Sequence, residues 1–298
     1  MPELPEVETV RAGLAASVTG ARVSKVIVHD SRSLRRHQGS PANFVETLTG
    51  QTFDSVVRRG KFLWLPIKGS NLCLIGHLGM SGQMLLRTPG FEADKLNRVT
   101  IELETKDGPL EFRFVDQRIF GSLALDPMVE TLDGGAGGFG SLITLIPTQA
   151  AHISRDPLDP QFDEARVLAI FEKKNSGIKR VLLDQGVLSG IGNIYADEAL
   201  WRAKLHYDKS ASSISAVKAK ELLQHVREIL ATAVEAGGTS FDEQYKNVNG
   251  ESGYFEVSLN AYGMTGRPCN RCGTPIKREN WMNRGSHFCP RCQKRSPK

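Results

Sequence analysis

CNRCGTPIKRENWMNRGSHFCPRC, residues 269–292, sets two Cys-x-x-Cys pairs on either side of sixteen residues. Each pair can put two sulfurs on one metal ion, and two pairs complete a tetrahedron, the pattern of a four-thiolate zinc site at Cys269, Cys272, Cys289 and Cys292. The segment between them has the length of a β-hairpin, with Asn283-Arg284-Gly285 as the turn signal at its tip. With all four positions taken by protein thiolates, no coordination site is left for a reactive water. One structural Zn2+ is therefore expected, folding a small ribbon. Disulfides are the competing use of such cysteines. They fit poorly here, because the acidic start MPELPEVETV lacks the basic and then apolar order of a secretory signal and reads as a cytoplasmic chain. The fifth cysteine, Cys73 in LCLIGHL, sits among alternating apolar residues and reads as a buried hydrophobe.

The ribbon is also basic. Residues 261–298 hold nine Lys or Arg against one acid, Glu279, whereas the whole 298-residue chain carries only +5. So steep a local surplus points to a polyanion, and specifically to nucleic acid. The remaining composition, 40% hydrophobic and 24% charged, suits a folded chain of more than one domain and excludes wholesale disorder. No apolar run is long enough for a membrane span.

Upstream of the ribbon the periodicity is helical. DEARVLAIFEKK, SGIKRVLLDQ, NIYADEALWRA and SAVKAKELLQHVREILATAVEAGG each repeat apolar residues at three or four positions, and Gly237-Gly238 stops the last. Further upstream stand short alternating runs, from RVSKVIVH to SLALD, broken by turn signals such as KGSN and KDGP. They read as a β-sandwich or barrel. LDGGAGGFGSL and SRDPLDPQF, between the two regions, read as linker. The first residues predict a helix: Pro5 suits its first position, Val7, Val10, Leu14 and Val18 form its stripe, and Gly20 ends it. The expected fold is a multi-domain α+β chain. Residues 1–134 form an N-terminal helix plus β-sandwich, 135–161 a linker, 162–259 a helical domain and 260–298 the zinc ribbon.

Taken with the ribbon, PELPEVET at 2–9, HLGMSG at 77–82 and GIGNIYADEAL at 190–200 resemble, in order and end to end, the Fpg (MutM) branch of the Fpg/Nei family of DNA glycosylases. The resemblance implies that the helical domain is a helix-two-turns-helix. It also implies a bifunctional glycosylase/AP lyase of base excision repair, monomeric, acting at the nucleoid on oxidised purines opposite cytosine in damaged double-stranded DNA. Met1 is expected to be removed, leaving Pro2 as the amine nucleophile that forms a Schiff base and drives β,δ-elimination. An α-amino group titrates near ~7.7–8.0 against ~10.4 for lysine, so far more of it is reactive at neutral pH. Glu3 is the implied acid–base residue and Glu6 orients the site. Glu8 has no implied role and reads as helix-dipole compensation. Lys61, Lys179, Asn193 and Arg284 are the implied phosphate contacts, with Gly190 and Gly192 letting backbone approach the strand. Met80 fills the gap left by the flipped base, Phe120 wedges between base pairs, and Arg118 faces the orphaned base.

Departures are local. DQRIFG carries Ile119 where the family commonly has a second arginine, SRDPLDP replaces GPEPL, and LHYD replaces IHP. Tyr245 and Lys246 fall in a loop that covers the flipped base in relatives and receive no role. Two rival readings stand beside it. One is an endonuclease VIII-like enzyme for oxidised pyrimidines, against which Leu4 and the Arg118-x-Phe120 pair speak. The other is a non-catalytic zinc-ribbon DNA-binding protein.

Overall fold

The computed structural model describes residues 2–238, 248–249 and 259–295. The chain divides into two compact units, Met1–His152 with Gly237–Tyr254, and Ile153–Ala236 with Phe255–Lys298. Met1, Tyr245 and Lys246 lie outside the described residues.

The first unit is built on two antiparallel sheets. One has the order β1 (Arg22–Val28), β6 (Asn97–Thr105), β7 (Gly108–Asp116), β5 (Gly82–Arg87). The other runs β2 (Val57–Arg59), β3 (Phe62–Pro66), β4 (Leu72–His77), β8 (Ser122–Glu130), β9 (Leu145–Pro147). Alternation decides which side chains meet. Val23, Val99, Ile101, Phe112 and Phe114 from one sheet, and Leu63, Leu65, Leu74 and Leu123 from the other, share a single core. Helix α1 (Leu4–Val18) adds Val7, Val10, Leu14 and Val18 to it. The stripe expected from the sequence is thus the buried face, although the helix opens at Leu4, with Pro5 second. The outer face of the second sheet is buried too, by a cluster containing Val57, Trp64, Cys73, Ile75 and Ile146. KGSN and KDGP do form hairpin turns, joining β3 to β4 and β6 to β7.

Two stretches differ from their expected form. Residues 41–48, given no element in advance, form helix α2 (Pro41–Leu48), capped by the Ser40 hydroxyl. The glycine-rich stretch expected as linker is packed instead: its chain lies along the edge strand β2, and Phe139 and Arg58 exchange backbone hydrogen bonds of 2.8 and 2.9 Å. Gly138 shows why small residues are needed there, since a Cβ would lie 2.4 Å from the Arg58 carbonyl oxygen. Beyond it, β9 pairs with β8 and extends the sheet.

The second unit holds α3 (Glu164–Lys173), α4 (Ile178–Leu182), α5 (Asn193–Arg202), α6 (Ala216–Glu235) and the hairpin of β10 (Lys277–Trp281) and β11 (Arg284–Phe288). The α4 segment is only five residues long, shorter than the helical pattern of SGIKRVLLDQ predicts. Its continuation turns back because Gln185 takes over the backbone bonding: its amide donates to the Leu183 and Ile191 carbonyls and its oxygen accepts from Gly190 N–H.

Candidate nucleic-acid and catalytic site

In the first unit the candidate chemistry begins one residue before α1. Glu3 is the N-cap, and its backbone N–H donates to Glu6 Oε2 at 2.8 Å in a reciprocal capping box. The box satisfies amides that a helix start would otherwise leave open, and it fixes both carboxylates at the start of α1, which Pro2 precedes in the chain. Pro2, Glu3 and Glu6 are all buried. Gly238, at φ +85°, comes so close to Glu6 that a Cβ would lie 3.0 Å from Oε1. Glu8 is more than dipole compensation. Its buried carboxylate takes Arg58 Nε at 2.8 Å and Arg11 Nε at 2.8 Å, tying α1 to β2. Arg11 and Arg58 in turn stand over the Phe139 ring, at 5.2 and 5.8 Å from its centroid.

Lys61 follows Gly60, at φ +57°, in the tight turn between β2 and β3, the same hairpin that Arg58 anchors to α1. The turn is cationic. Burial, and then the charges of Arg36, Lys61 and Arg35, hold the His77 imidazole at about 4, well below its ordinary value. His77 Nδ1 accepts the Gly79 N–H at 3.1 Å, which leaves the proton of the neutral ring on Nε2. A neutral donor facing three cations is suited to an anion. His77 stands in the HLGMSG motif, yet its neighbours come from distant parts of the chain.

Met80 and Phe120 are exposed, 41% and 49%, against the habit of large apolar side chains. Their backbones are held back to back. Gly79, at φ +62°, approaches the Phe120 carbonyl so closely that a Cβ would lie 2.4 Å from its oxygen. Buried Asp116 accepts the Ser81 hydroxyl together with the amides of Arg118 at 3.1 Å and Gly121 at 2.7 Å. The structure therefore brings Met80, Arg118 and Phe120 onto two joined turns and leaves Arg118 exposed.

In the second unit, Lys179, Asn193 and the base of Arg284 come together. Lys179 is fully buried, with Nζ 2.6 Å from Asp197 Oδ1, 2.8 Å from Ser286 Oγ and 3.4 Å from the Gly285 carbonyl. The same carbonyl accepts Asn193 Nδ2 at 3.0 Å. All three protons of the ammonium have protein acceptors, so the expected direct phosphate contact is opposed by its burial. Lys179 instead fixes the strand that begins at Arg284. That residue is exposed, and it sits one position later than expected: the two-residue turn is Met282-Asn283, with φ +45° and +59°, and Arg284 opens β11 opposite Trp281. The other Asp197 oxygen accepts the backbone N–H of His287 at 2.8 Å and faces its Nδ1 at 3.1 Å. Glu198 accepts the amides of Asn260, Ala261 and Tyr262 and so anchors the chain entering the ribbon, while burial pushes its carboxyl above the ordinary range.

The four sulfurs of Cys269, Cys272, Cys289 and Cys292 lie within 4.8 Å of one another. Cys272 Sγ stands 3.5 Å from both Cys289 Sγ and Cys292 Sγ. Such separations are too long for a disulfide and suit sulfurs sharing one tetrahedral ion with Zn–S near ~2.3 Å. The donor set fits zinc, and the cluster is backed by Trp201, Ala261 and Ile276.

Comparison with known proteins extends these observations over nearly the whole chain. Residues 1–123 match the family model of the formamidopyrimidine-DNA glycosylase N-terminal domain, 153–244 that of the formamidopyrimidine-DNA glycosylase H2TH domain, and 266–295 that of a zinc finger found in FPG and IleRS. The formamidopyrimidine-DNA glycosylase of Leifsonia xyli is 54% identical over 296 residues, spanning 99% of this chain and all of that protein. The one from Salinispora arenicola is 53% identical, spanning 99% and 97%. Among solved structures, the Lactococcus lactis Fpg bound to abasic-site DNA matches with a TM-score of 0.80 at 31% identity, over 98% of this chain and 100% of that one. The same enzyme bound to Fapy-dG DNA also matches at 0.80 and 31%.

Proposed function

The chain belongs to the formamidopyrimidine-DNA glycosylase family, and from that premise we infer how its own residues perform the reaction. It is a DNA glycosylase and AP lyase that binds damaged DNA and acts on formamidopyrimidine and abasic lesions. The observation that supports the assignment of residues is the capping box of Glu3 and Glu6, which fixes two carboxylates at the start of α1, the helix that Pro2 precedes.

Once Met1 is removed, Pro2 presents a secondary amine. The amine nitrogen bonds to C1′ of the damaged nucleotide as the glycosidic bond breaks, and the base leaves with a proton. Glu3 protonates the ring oxygen, the sugar opens, and a cationic iminium results. A positioned carboxylate of this kind is worth ~10²–10⁴-fold. The iminium withdraws electrons, C2′ loses a proton, and the 3′ phosphate departs. A second elimination releases the 5′ phosphate, and water then hydrolyses the iminium to return the amine. Glu6 holds the Glu3 backbone through these steps.

Lys61, His77 and Arg284 supply phosphate contacts, and Asn193 with Lys179 holds the strand behind Arg284. Met80 occupies the space of the extruded base, Phe120 wedges the stack, and Arg118 faces the orphaned base, its donors matched to the acceptors of cytosine. 8-Oxoguanine and formamidopyrimidines opposite cytosine are the preferred lesions. Bound zinc cross-links the two Cys-x-x-Cys turns and takes no part in bond making.

A duplex with Fapy-dG opposite cytosine tests this reading. The chain starting at Pro2 should release the base and leave phosphate at both ends of a one-nucleotide gap. The Glu3→Gln variant should slow base release by about 10²-fold or more. Undiminished release by that variant would remove Glu3 from the chemistry.

A further inference from the structure

We propose that Arg35 is a positioning residue for opposite-base preference, acting through the loop that carries Arg118 and Phe120. Arg35 follows a 3-10 turn, Ser31–Leu34, that is remote in sequence from every motif of the family resemblance. Its guanidinium gathers three consecutive carbonyls of that loop. Nη1 donates to Ile119 O at 3.1 Å and to Gly121 O, and Nη2 donates to Phe120 O at 2.6 Å. A second arginine joins the same two segments, with Arg98 Nε on Asp116 O at 2.9 Å and Nη1 on Asp30 Oδ2 at 3.0 Å.

The loop needs such a clamp. Ile119 has φ +56°, a left-handed conformation that β-branched residues avoid, so the backbone there is held against its own preference. Asp116 grips the amides on either side of this residue, at Arg118 and Gly121, and Arg35 grips the carbonyls. Between the two, each peptide of the turn has a fixed direction. Arg118 and Phe120 project from it into solvent with their side chains exposed. A planar fork holds five donors in a fixed geometry, which the single rotatable ammonium of a lysine does not reproduce.

The proposal rests on the reading of Arg118 as the group that faces the orphaned base. The measurement is the ratio of kcat/KM on 8-oxoguanine opposite cytosine to that opposite adenine, which a smaller folded fraction leaves unchanged. R118A should collapse the ratio, and an unchanged ratio there would overturn the reading itself. R35A should lower the ratio about tenfold, R35K should recover little of it, and the R35A/R118A double variant should match R118A alone. Equal slowing of both duplexes by R35A, or a further loss of ratio on the R118A background, would overturn the role of Arg35. A second readout is independent of Arg118. With 4-fluorophenylalanine at position 120 of the free full-length protein, R35A should shift and broaden the 19F resonance. An unchanged resonance would mean that Arg35 does not hold the loop.

Discussion

The Lys179 ammonium lies 2.6 Å from the Asp197 carboxylate, and neither side chain reaches solvent. Taking two charges out of water is costly. Here the cost is offset because Nζ also meets Ser286 Oγ and the Gly285 carbonyl, while Asp197 meets His287. Removing one partner strands the other, so Lys179→Met should destabilise the chain by about 3–5 kcal/mol in chemical denaturation. The salt dependence of duplex binding separates this role from a phosphate grip. The variant should keep the slope of log K against log salt, whereas loss of a true phosphate contact would reduce it by about 0.9.

His77 makes stability depend on pH. Its folded value of about 4 lies below the ordinary 6.5, through burial first and then through Arg36, Lys61 and Arg35. Below pH 6.5 the unfolded chain takes up a proton that the folded chain refuses. The stabilisation is therefore complete above about 6.5 and is lost as pH falls towards 4, by at most about 3 kcal/mol. Denaturation midpoints taken between these limits should fall steeply for the wild-type chain and less steeply for His77→Gln.

The glycine-rich strap should tolerate substitution unevenly. At Gly138 a Cβ would meet the Arg58 carbonyl and, at 2.9 Å, the Trp64 ring, whereas at Gly134 nothing lies within 4 Å and only the φ of +68° opposes a side chain. Gly138→Ala should cost about 1–3 kcal/mol by overpacking and Gly134→Ala about 1 kcal/mol or less. Thermal midpoints of the two variants would show the order. Equal losses would mean that the strap does not bear on Trp64.

Zinc removal should act on folding and not on a bond-making step. Cys289→Ser should lose the ion and loosen the cluster of Trp201, Ala261 and Ile276, which Arg271 covers from 3.9 Å above the Trp201 ring. The change should appear in tryptophan emission, with weaker duplex binding.

The elements that alternate cleanly were legible in the sequence. RVSKVIVH, NLCLIGHL and GQMLLR each read as strands because they are short, rich in apolar residues and bounded by turn signals, and the helical stripes of α1 and α6 followed from spacing alone. The four cysteines were legible for the same local reason. What escaped was decided by contacts distant in sequence. Phe139 became part of a sheet edge only because Arg58 was there to receive it. Glu8 looked like any acid in a first helical turn until Arg58 and Arg11 closed on it. Lys179 stood among the implied phosphate contacts, and its burial depends on Asp197 and on a hairpin a hundred residues away. Arg35 lay in a stretch with no motif at all.

Pro2 as the nucleophile is tested by trapping the covalent intermediate. The protein, shown by mass to begin at Pro2, would be incubated with a duplex carrying 8-oxoguanine opposite cytosine and treated with borohydride, and the adduct would be mapped by peptide. One adduct is expected, on the Pro2 nitrogen, lost when Met1 is retained. An adduct on a lysine, or none from protein that binds the duplex and starts at Pro2, would contradict it.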